Sequence, residues 1–508
     1  MTPRSRLSRL RLPALLAVAA GCAQPPAAPP VAAPPAADVR SENETRSAGA
    51  AHPLDPAATD RVLRPALRRL DEALALRHRN EQWEQVAETA REAAALLDEA
   101  REAGARGPAA DAAHAAVEAL LAWQALGEAG DPARAECSAA LLRLLDLVGR
   151  QVPQTHALRA VILLETGRDA EAGAELLAGL QQFPAYPELH DLARGAADRL
   201  PGPQALAKVV DQAAARRPEL LGEAAATRGY LLLAAGIPAE RDGNPAGAAR
   251  LYELGAEALR QAREDESQRL SDWTLAQRRA DCLANAGRLH LQRAQDLLAA
   301  MGLPAARPEL AAAEQDYGDA LEAVPDDEES HAGLAATADT YYQAGDLDGV
   351  RDAFGRLAAR FDDAEWWNNH AFFCRETGLY EESFAAYEKC VALEPWNARY
   401  VNDTALILLY HLDRDLDRAE AMFRKAIELG RTACDNPFID EASREANFGA
   451  YTDAMLNLSL LLARDGRLDE AETLANELLV LSPERADARG LLAHIEAARR
   501  GEPVPRNP

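Results

Sequence analysis

The stretch WWNNHAFFCRETGLYEESFAAYEKCVALEP, Trp366 to Pro395, decides how the chain is read. Its paired tryptophans and asparagines suggest a catalytic cluster, and its spacing suggests one unit of a repeat. Stepping from Trp367 gives small Ala371, then Cys374, Gly378, small Ser383, Tyr387, small Cys390 and Pro395. The same steps from His156 give Ala160, Leu163, Gly167, Ala172, Leu176, Gly179 and Pro184. From Met455 they give Ser459, Leu462, Gly466, Ala471, Ala475, Leu478 and Pro483. From Leu334 they give Ala338, Tyr341, Gly345, Val350, Phe354, Leu357 and Asp362. Recurrence at fixed spacing is the mark of a repeat array. Its physical basis is close packing: two antiparallel helices joined at the Gly approach only where small side chains cross, and bulky residues one turn away fill the space between neighbouring pairs. The closing Pro ends the second helix.

This spacing resembles the tetratricopeptide repeat, a helix-turn-helix of about 34 residues that stacks into a solenoid. The expected fold is therefore an all-α solenoid of antiparallel helix pairs, and the tryptophans are packing residues. The resemblance is strongest over 276–500. There CLANAGRLH supplies a first helix with Leu283, Gly287 and His290, and ELAAAEQDYGDALEAVP a second with Ala313, Tyr317, Ala320 and Pro325, across a longer connection around MGLPAARP. The stretch from Tyr400 to Gly430 is another hairpin, with Val401, Ala405 and Leu408 set against Ala419, Phe423 and Ala426 and a turn about two residues too long. ADARGLLAHIEAARRG reads as a capping helix. Residues 151–275 follow the pattern more loosely, apart from the 153–186 unit. Residues 59–150 are helical by period and fit either degenerate repeats or a separate bundle.

Composition agrees with a helical chain. The 508 residues are 48% hydrophobic and 27% charged but only 5% aromatic, and Ala, Leu, Glu and Arg are good helix formers. A formal net charge of -26 repels phosphate backbones and anionic headgroups, so no nucleic-acid partner is expected.

The N-terminus has an address of its own. MTPRSRLSRLRLPALLAVAAGCAQPP carries four arginines and then the apolar run Leu12 to Ala20. That run is short of the roughly 20 residues a membrane span needs and matches a secretory signal over 1–21. AVAAGC resembles a lipobox, with Ala19 in place of the usual Leu, which implies cleavage before Cys22 and its acylation. Ala23 rather than Asp after the cysteine resembles lipoproteins sorted to the outer membrane. Residues 22–58, rich in Pro and Ala, read as a disordered tether. The implied location is the bacterial envelope, facing the periplasm, with membrane contact through the lipid anchor alone.

Of six cysteines, five remain beside Cys22: Cys137, Cys282, Cys374, Cys390 and Cys434. They lack C-x-x-C spacing and read as small buried hydrophobes, with a Cys374–Cys390 disulfide as the alternative. The ten histidines lie far apart, with no H-E-x-x-H, phosphate loop or nucleophile elbow among them or elsewhere. Neither a cofactor nor a catalytic residue is assigned. Acidic pairs such as Asp326-Asp327 and Glu381-Glu382 fall at helix starts, where carboxylates favour the dipole.

A ladder of polar residues stands out instead. Two positions after the opening bulky residue of a first helix come Asn285, Asn369, Asp403 and Asn457, with Ala336 breaking the series. In tetratricopeptide repeats this position faces the concave groove, where an amide can donate to and accept from an extended peptide backbone. The resemblance therefore implies a peptide channel. Phe372, Leu406 and Leu460, each one turn on, are expected beside the amides as apolar contacts. The three lysines, Lys208, Lys389 and Lys425, lie off that face, and Arg288 is the one expected groove cation. The leading reading is a lipid-anchored envelope scaffold that binds protein or peptide partners. The alternative is an enzyme or enzyme subunit with its chemistry in 59–150 or in the insertion 430–454, whose Phe438, Phe448 and Tyr451 exceed what a repeat needs.

Overall fold

A computed structural model describes residues 54–78, 83–125, 132–265, 268–502 and 504. The signal sequence, Cys22 and the Pro/Ala-rich tether lie outside the described residues. The unit described below begins at Pro53 and ends at Pro508.

Among the described residues the regular structure is helical throughout, in chain-ordered pairs. The first pairs are α1 (Pro56–His78) with α2 (Trp83–Glu102), α3 (Pro108–Ala125) with α4 (Pro132–Val148), and α5 (Pro153–Glu165) with α6 (Asp169–Gln182). Two shorter helices, α7 (Pro187–Gly195) and α8 (Pro203–Arg216), precede α9 (Leu221–Arg241) with α10 (Pro245–Arg263) and α11 (Asp272–Met301) with α12 (Leu303–Ala323). Then come α13 (Glu328–Gln343) with α14 (Leu347–Phe361) and α15 (Ala364–Glu376) with α16 (Tyr380–Leu393). Next, α17 (Ala398–Leu406) pairs with α18 (Leu416–Cys434), and α19 (Glu441–Arg464) with α20 (Leu468–Leu481), before the closing α21 (Ala486–Arg499).

The repeat spacing has a backbone cause. Gly167, Gly345, Gly378 and Gly466 all take positive φ, from 73° to 82°, a region L side chains rarely enter. Just past each glycine an N–H reaches back across the turn: Arg168 to the Leu163 carbonyl at 2.8 Å, Asp346 to Tyr341 at 3.0 Å, Leu379 to Cys374 at 2.8 Å and Arg467 to Leu462 at 2.9 Å. This is the Schellman closure, which satisfies carbonyls left open at a helix end. Gly243, at φ 76°, closes α9 in the same way, with Asn244 N–H bonded to the Ala239 carbonyl at 3.0 Å. That adds a hairpin within the loosely patterned 151–275 region.

The small positions lie at the crossings. Ala371 is fully buried in α15, and its carbonyl accepts the Ser383 hydroxyl of α16 at 2.7 Å. In α19 and α20 the roles are exchanged: Ser459 donates to the Ala471 carbonyl, again at 2.7 Å. The tryptophans are packing residues, as expected. Trp366 is buried with its ring 5.9 Å from that of Phe354, and Trp367 donates to Asp362 Oδ1 at 3.1 Å.

Several expectations need correction. The MGLPAARP connection is not a loop. α11 runs to Met301, Gly302 turns at φ 82°, and α12 starts at Leu303. The overlong turn in the Tyr400–Gly430 hairpin is taken up by a π-helix over Ile407–Leu412, followed by Asp413 and Asp415 in left-handed conformation. A π-turn absorbs an extra residue without breaking the helix. The insertion 430–454 mostly lengthens helices: α18 runs on to Cys434 and α19 begins at Glu441. The 59–150 region, left open between degenerate repeats and a bundle, shares one continuous apolar core that runs from Leu63 to Ala234. Cys374 and Cys390 are free thiols; the Cys390 sulfur bonds the Ala364 carbonyl at 3.4 Å. Cys282 is buried as expected, Cys434 only partly so.

Because Ala371 is fully buried and its carbonyl meets the Ser383 hydroxyl at the crossing, Ala371→Leu should overpack the hairpin and cost about 1–3 kcal/mol. Urea unfolding of the chain measures this, and an unchanged midpoint would contradict the crossing assigned here.

Candidate functional site

Two adjoining hollows lie along the later first helices. The larger, about 650 Å³, is bounded by α13, α14 and α15, with His331, Asp339, Tyr342, Phe354, Asn369 and Phe372 in its lining. The second, about 470 Å³, lies between α15, α17 and α19 and includes Phe372, Arg375, Arg399, Asp403, Leu406 and Asn457. Phe372 belongs to both. It is 37% exposed, and the Arg375 guanidinium sits 4.7 Å from its ring centroid. An aromatic wall thus separates an apolar hollow with an acidic rim from one that carries two arginines and two aspartates.

The helices place these groups through capping and period. Asp363 caps α15 by accepting from the Glu365 and Trp366 amides at 2.9 and 3.4 Å, which is the role expected of an aspartate at a helix start. From that fixed start Asn369, Phe372 and Phe373 fall on one face, three and four residues apart. Asn369 is half-buried and accepts a long bond from the Asn368 amide at 3.5 Å. On α17, Arg399, Asp403 and Leu406 follow the same stepping. Burial raises the Asp403 carboxyl above its ordinary range, while Arg399, 3.7 Å away, and the Asn402 amide, at 3.1 Å, draw it back.

Of the eight groove residues expected from sequence, Asn369, Phe372, Asp403, Leu406 and Asn457 line the hollows, and Asn285, Arg288 and Leu460 do not. Asn285 bonds back to the Asp281 carbonyl at 2.8 Å, within its own helix. Arg288 forms a bidentate pair with Glu240 at 3.0 and 2.8 Å, so its charge is already matched. Leu460 is fully buried in the core, because every face of the C-terminal half of α19 meets other helices. Asn457 borders the hollow but is only 5% exposed. Its side chain accepts from Tyr410 Oη at 2.9 Å and donates to Asn402 Oδ1 at 3.1 Å. The sequence places it in the groove as a peptide contact; it is a structural amide tying α19 to α17.

Sequence reasoning missed Arg375, Arg399, Tyr342 and Asp453. Stepping one turn further along each face, from Phe372 to Arg375 and from Asp403 back to Arg399, would have found the two arginines. The part that Ala446, Gly449, Ala450 and Asp453 of the insertion play in the second hollow had no signal in the repeat spacing. Of these four only Asp453 is titratable. Among the described residues, no helix is long and apolar enough to cross a membrane.

Residues 364–395, α15 and α16, match the family model described as tetratricopeptide repeat. Among solved structures the chain is similar to MamA (residues 41 to the end) from Desulfovibrio magneticus RS-1, at 15% identity and a TM-score of 0.26, over 39% of this chain and 97% of that one. It is similar too to a MamA RS-1 ArsTM double mutant, at 16% identity and a TM-score of 0.21, over 40% and 95% of the two chains. No curated protein matches.

The buried amide makes a prediction. Asn457→Ala strips Tyr410 and Asn402 of their partner, so it should cost about 1–3 kcal/mol of stability. Thermal and urea unfolding measure this, and a neutral result would mean that the amide is solvated after all.

Proposed function

We propose, from the premise of a chain that carries a tetratricopeptide repeat at 364–395, that this protein is an interaction scaffold holding an extended segment of a protein partner along the two hollows. Tetratricopeptide repeats serve as protein-interaction modules, and that coarser role comes with the match. The finer reading rests on Phe372. It stands half-exposed between two concavities, with a hydrogen-bonding amide, Asn369, one turn away. Exposed aromatics in a preformed concavity are the groups that give interfaces their strongest contacts. The acidic rim of the first hollow, Asp339, Asp363 and Glu365, favours a segment with an apolar side chain and a basic flank.

In the same reading Cys22 is acylated and its tether holds the folded repeats at the outer membrane, on the periplasmic side. The basic start, the short apolar run and the Gly-Cys junction support it. The partner is met at the membrane surface, while the body itself does not insert.

Two experiments bear on this. Partners are captured by crosslinking in cells, and the affinity of the recovered segment for the chain is measured. Asn369→Ala combined with Phe372→Ala should weaken binding about tenfold or more through one lost hydrogen bond and lost apolar contact. Glu388→Arg, which disturbs only the outer-face pair with Arg418 at 2.5 Å, should bind as wild type does. Normal binding by the double variant sinks the groove reading. Separately, Cys22→Ser should abolish palmitate labelling and leave unprocessed precursor. Equal labelling of the two would remove the anchor.

A further inference from the structure

A second site lies upstream of the hollows, where α10, α11 and α12 pack together. His290 of α11 has carboxylates on both sides. Its Nδ1 is 2.7 Å from Glu309 Oε2, and its Nε2 is 3.2 Å from Glu253 Oε1 and 3.8 Å from Asp316 Oδ2. One ligand atom from each of Glu253, His290 and Asp316 lies within 4.8 Å of the other two. We propose that these three atoms bind a divalent first-row transition ion, with Zn²⁺ as the representative case.

Asp316 is the observation that separates this from an ordinary acidic cluster. It is only 8% exposed, and its Oδ2 is buried without a hydrogen-bond partner. Glu253 is matched by Arg250 at 2.7 Å and Glu309 by Arg293 at 3.2 Å, whereas among the described residues no arginine or lysine pairs with Asp316. A buried carboxylate left so is costly, and a cation between it and His290 removes the cost.

The spacing fits. Ligands at about 2.0–2.2 Å from a tetrahedral zinc stand roughly 3.4 Å apart, and the two distances from Nε2 bracket that value. The groups that would orient these ligands are in place as well. With an ion bound, Glu309 would accept from Nδ1–H and leave the Nε2 lone pair to the ion, the usual carboxylate–histidine–metal arrangement. Arg250 and Arg293 then hold Glu253 and Glu309. An imidazole among the ligands favours a transition ion over Mg²⁺ or Ca²⁺, which prefer oxygen alone. Three protein ligands leave a position for water or for a donor from a partner. Glu253, 32% exposed in its side chain, gives an entry path.

The test uses the full chain, stripped with EDTA and titrated with Zn²⁺ by calorimetry and by metal counting after dialysis. One equivalent should bind to wild type. Asp316→Asn, which keeps the shape and should keep the helical circular dichroism, should lose it. Glu309→Gln should bind about 10–100-fold more weakly. No uptake by wild type, or equal uptake by Asp316→Asn, overturns the site. Co²⁺ bound to wild type gives a check that depends on no variant. Visible d–d bands without a thiolate charge-transfer band are expected, and a thiolate band would place the ion on the cysteines instead.

Discussion

The contact on which the array depends is the approach of two helices at a backbone carbonyl. At Ala371 and Ser383, and again at Ser459 and Ala471, a serine hydroxyl bonds the carbonyl of an alanine on the opposite helix at 2.7 Å. That distance leaves no space for a branched side chain at either position. The turn glycine follows from the same demand, because only a left-handed residue reverses the chain tightly enough to bring the helices into contact. Serine and alanine can exchange sides because the hydrogen bond needs one hydroxyl and one bare carbonyl in either order.

The hollows form where the hairpins depart from that regularity. In the α17 unit the π-helix and two left-handed aspartates reposition the turn. The lengthened α19 then lies directly against α17. On its other side α19 approaches α18 closely at Gly430, where a Cβ would come within 2.7 Å of Tyr451 Cβ. The added N-terminal half of α19 becomes a wall of the second hollow. The insertion, which the sequence offers as an alternative seat of function, and the second hollow therefore share one surface.

The hairpins were legible because their determinants are local: a glycine, two small residues and a proline at fixed offsets. The all-α class was legible for the same reason. The polar ladder was legible only in part. Its spacing states which face of its own helix a residue occupies, not what lies opposite. Asn369 and Asp403 face a hollow, whereas Asn457 meets Asn402 and Tyr410 because α17 and α19 touch. Leu460 is buried for a like reason, and Arg288 finds Glu240 across a neighbouring hairpin. Such pairings join residues 45 to 55 apart in several cases, among them Asn457–Asn402 and Gln295–Thr340, beyond the reach of any period within a helix. The carboxylates around His290 come from two other helices, Glu253 from α10 and Glu309 and Asp316 from α12, and no spacing within α11 announces them.

Charge follows the same division between local and distant. Arginines bridge successive hairpins through paired bonds: Arg356 to Glu314 at 2.7 Å twice, Arg414 to Glu381 at 2.8 and 2.7 Å, and Arg288 to Glu240. The fork of a guanidinium suits this geometry and an ammonium does not, which accounts for a chain with three lysines and an abundance of arginine. Exposed pairs of this kind add little stability each, but they tie up positive charge that would otherwise face a partner. What remains at the surface is the acidic excess behind the net charge of -26. Arg375 and Arg399 stand at the second hollow, beside Asp403 and Asp453, while the first hollow has only acidic charge at its rim. A long-range field of that sign slows the approach of acidic chains and speeds that of basic ones. In the proposed reading selection therefore begins before contact, and the aromatic wall at Phe372 acts on segments that the field has already admitted.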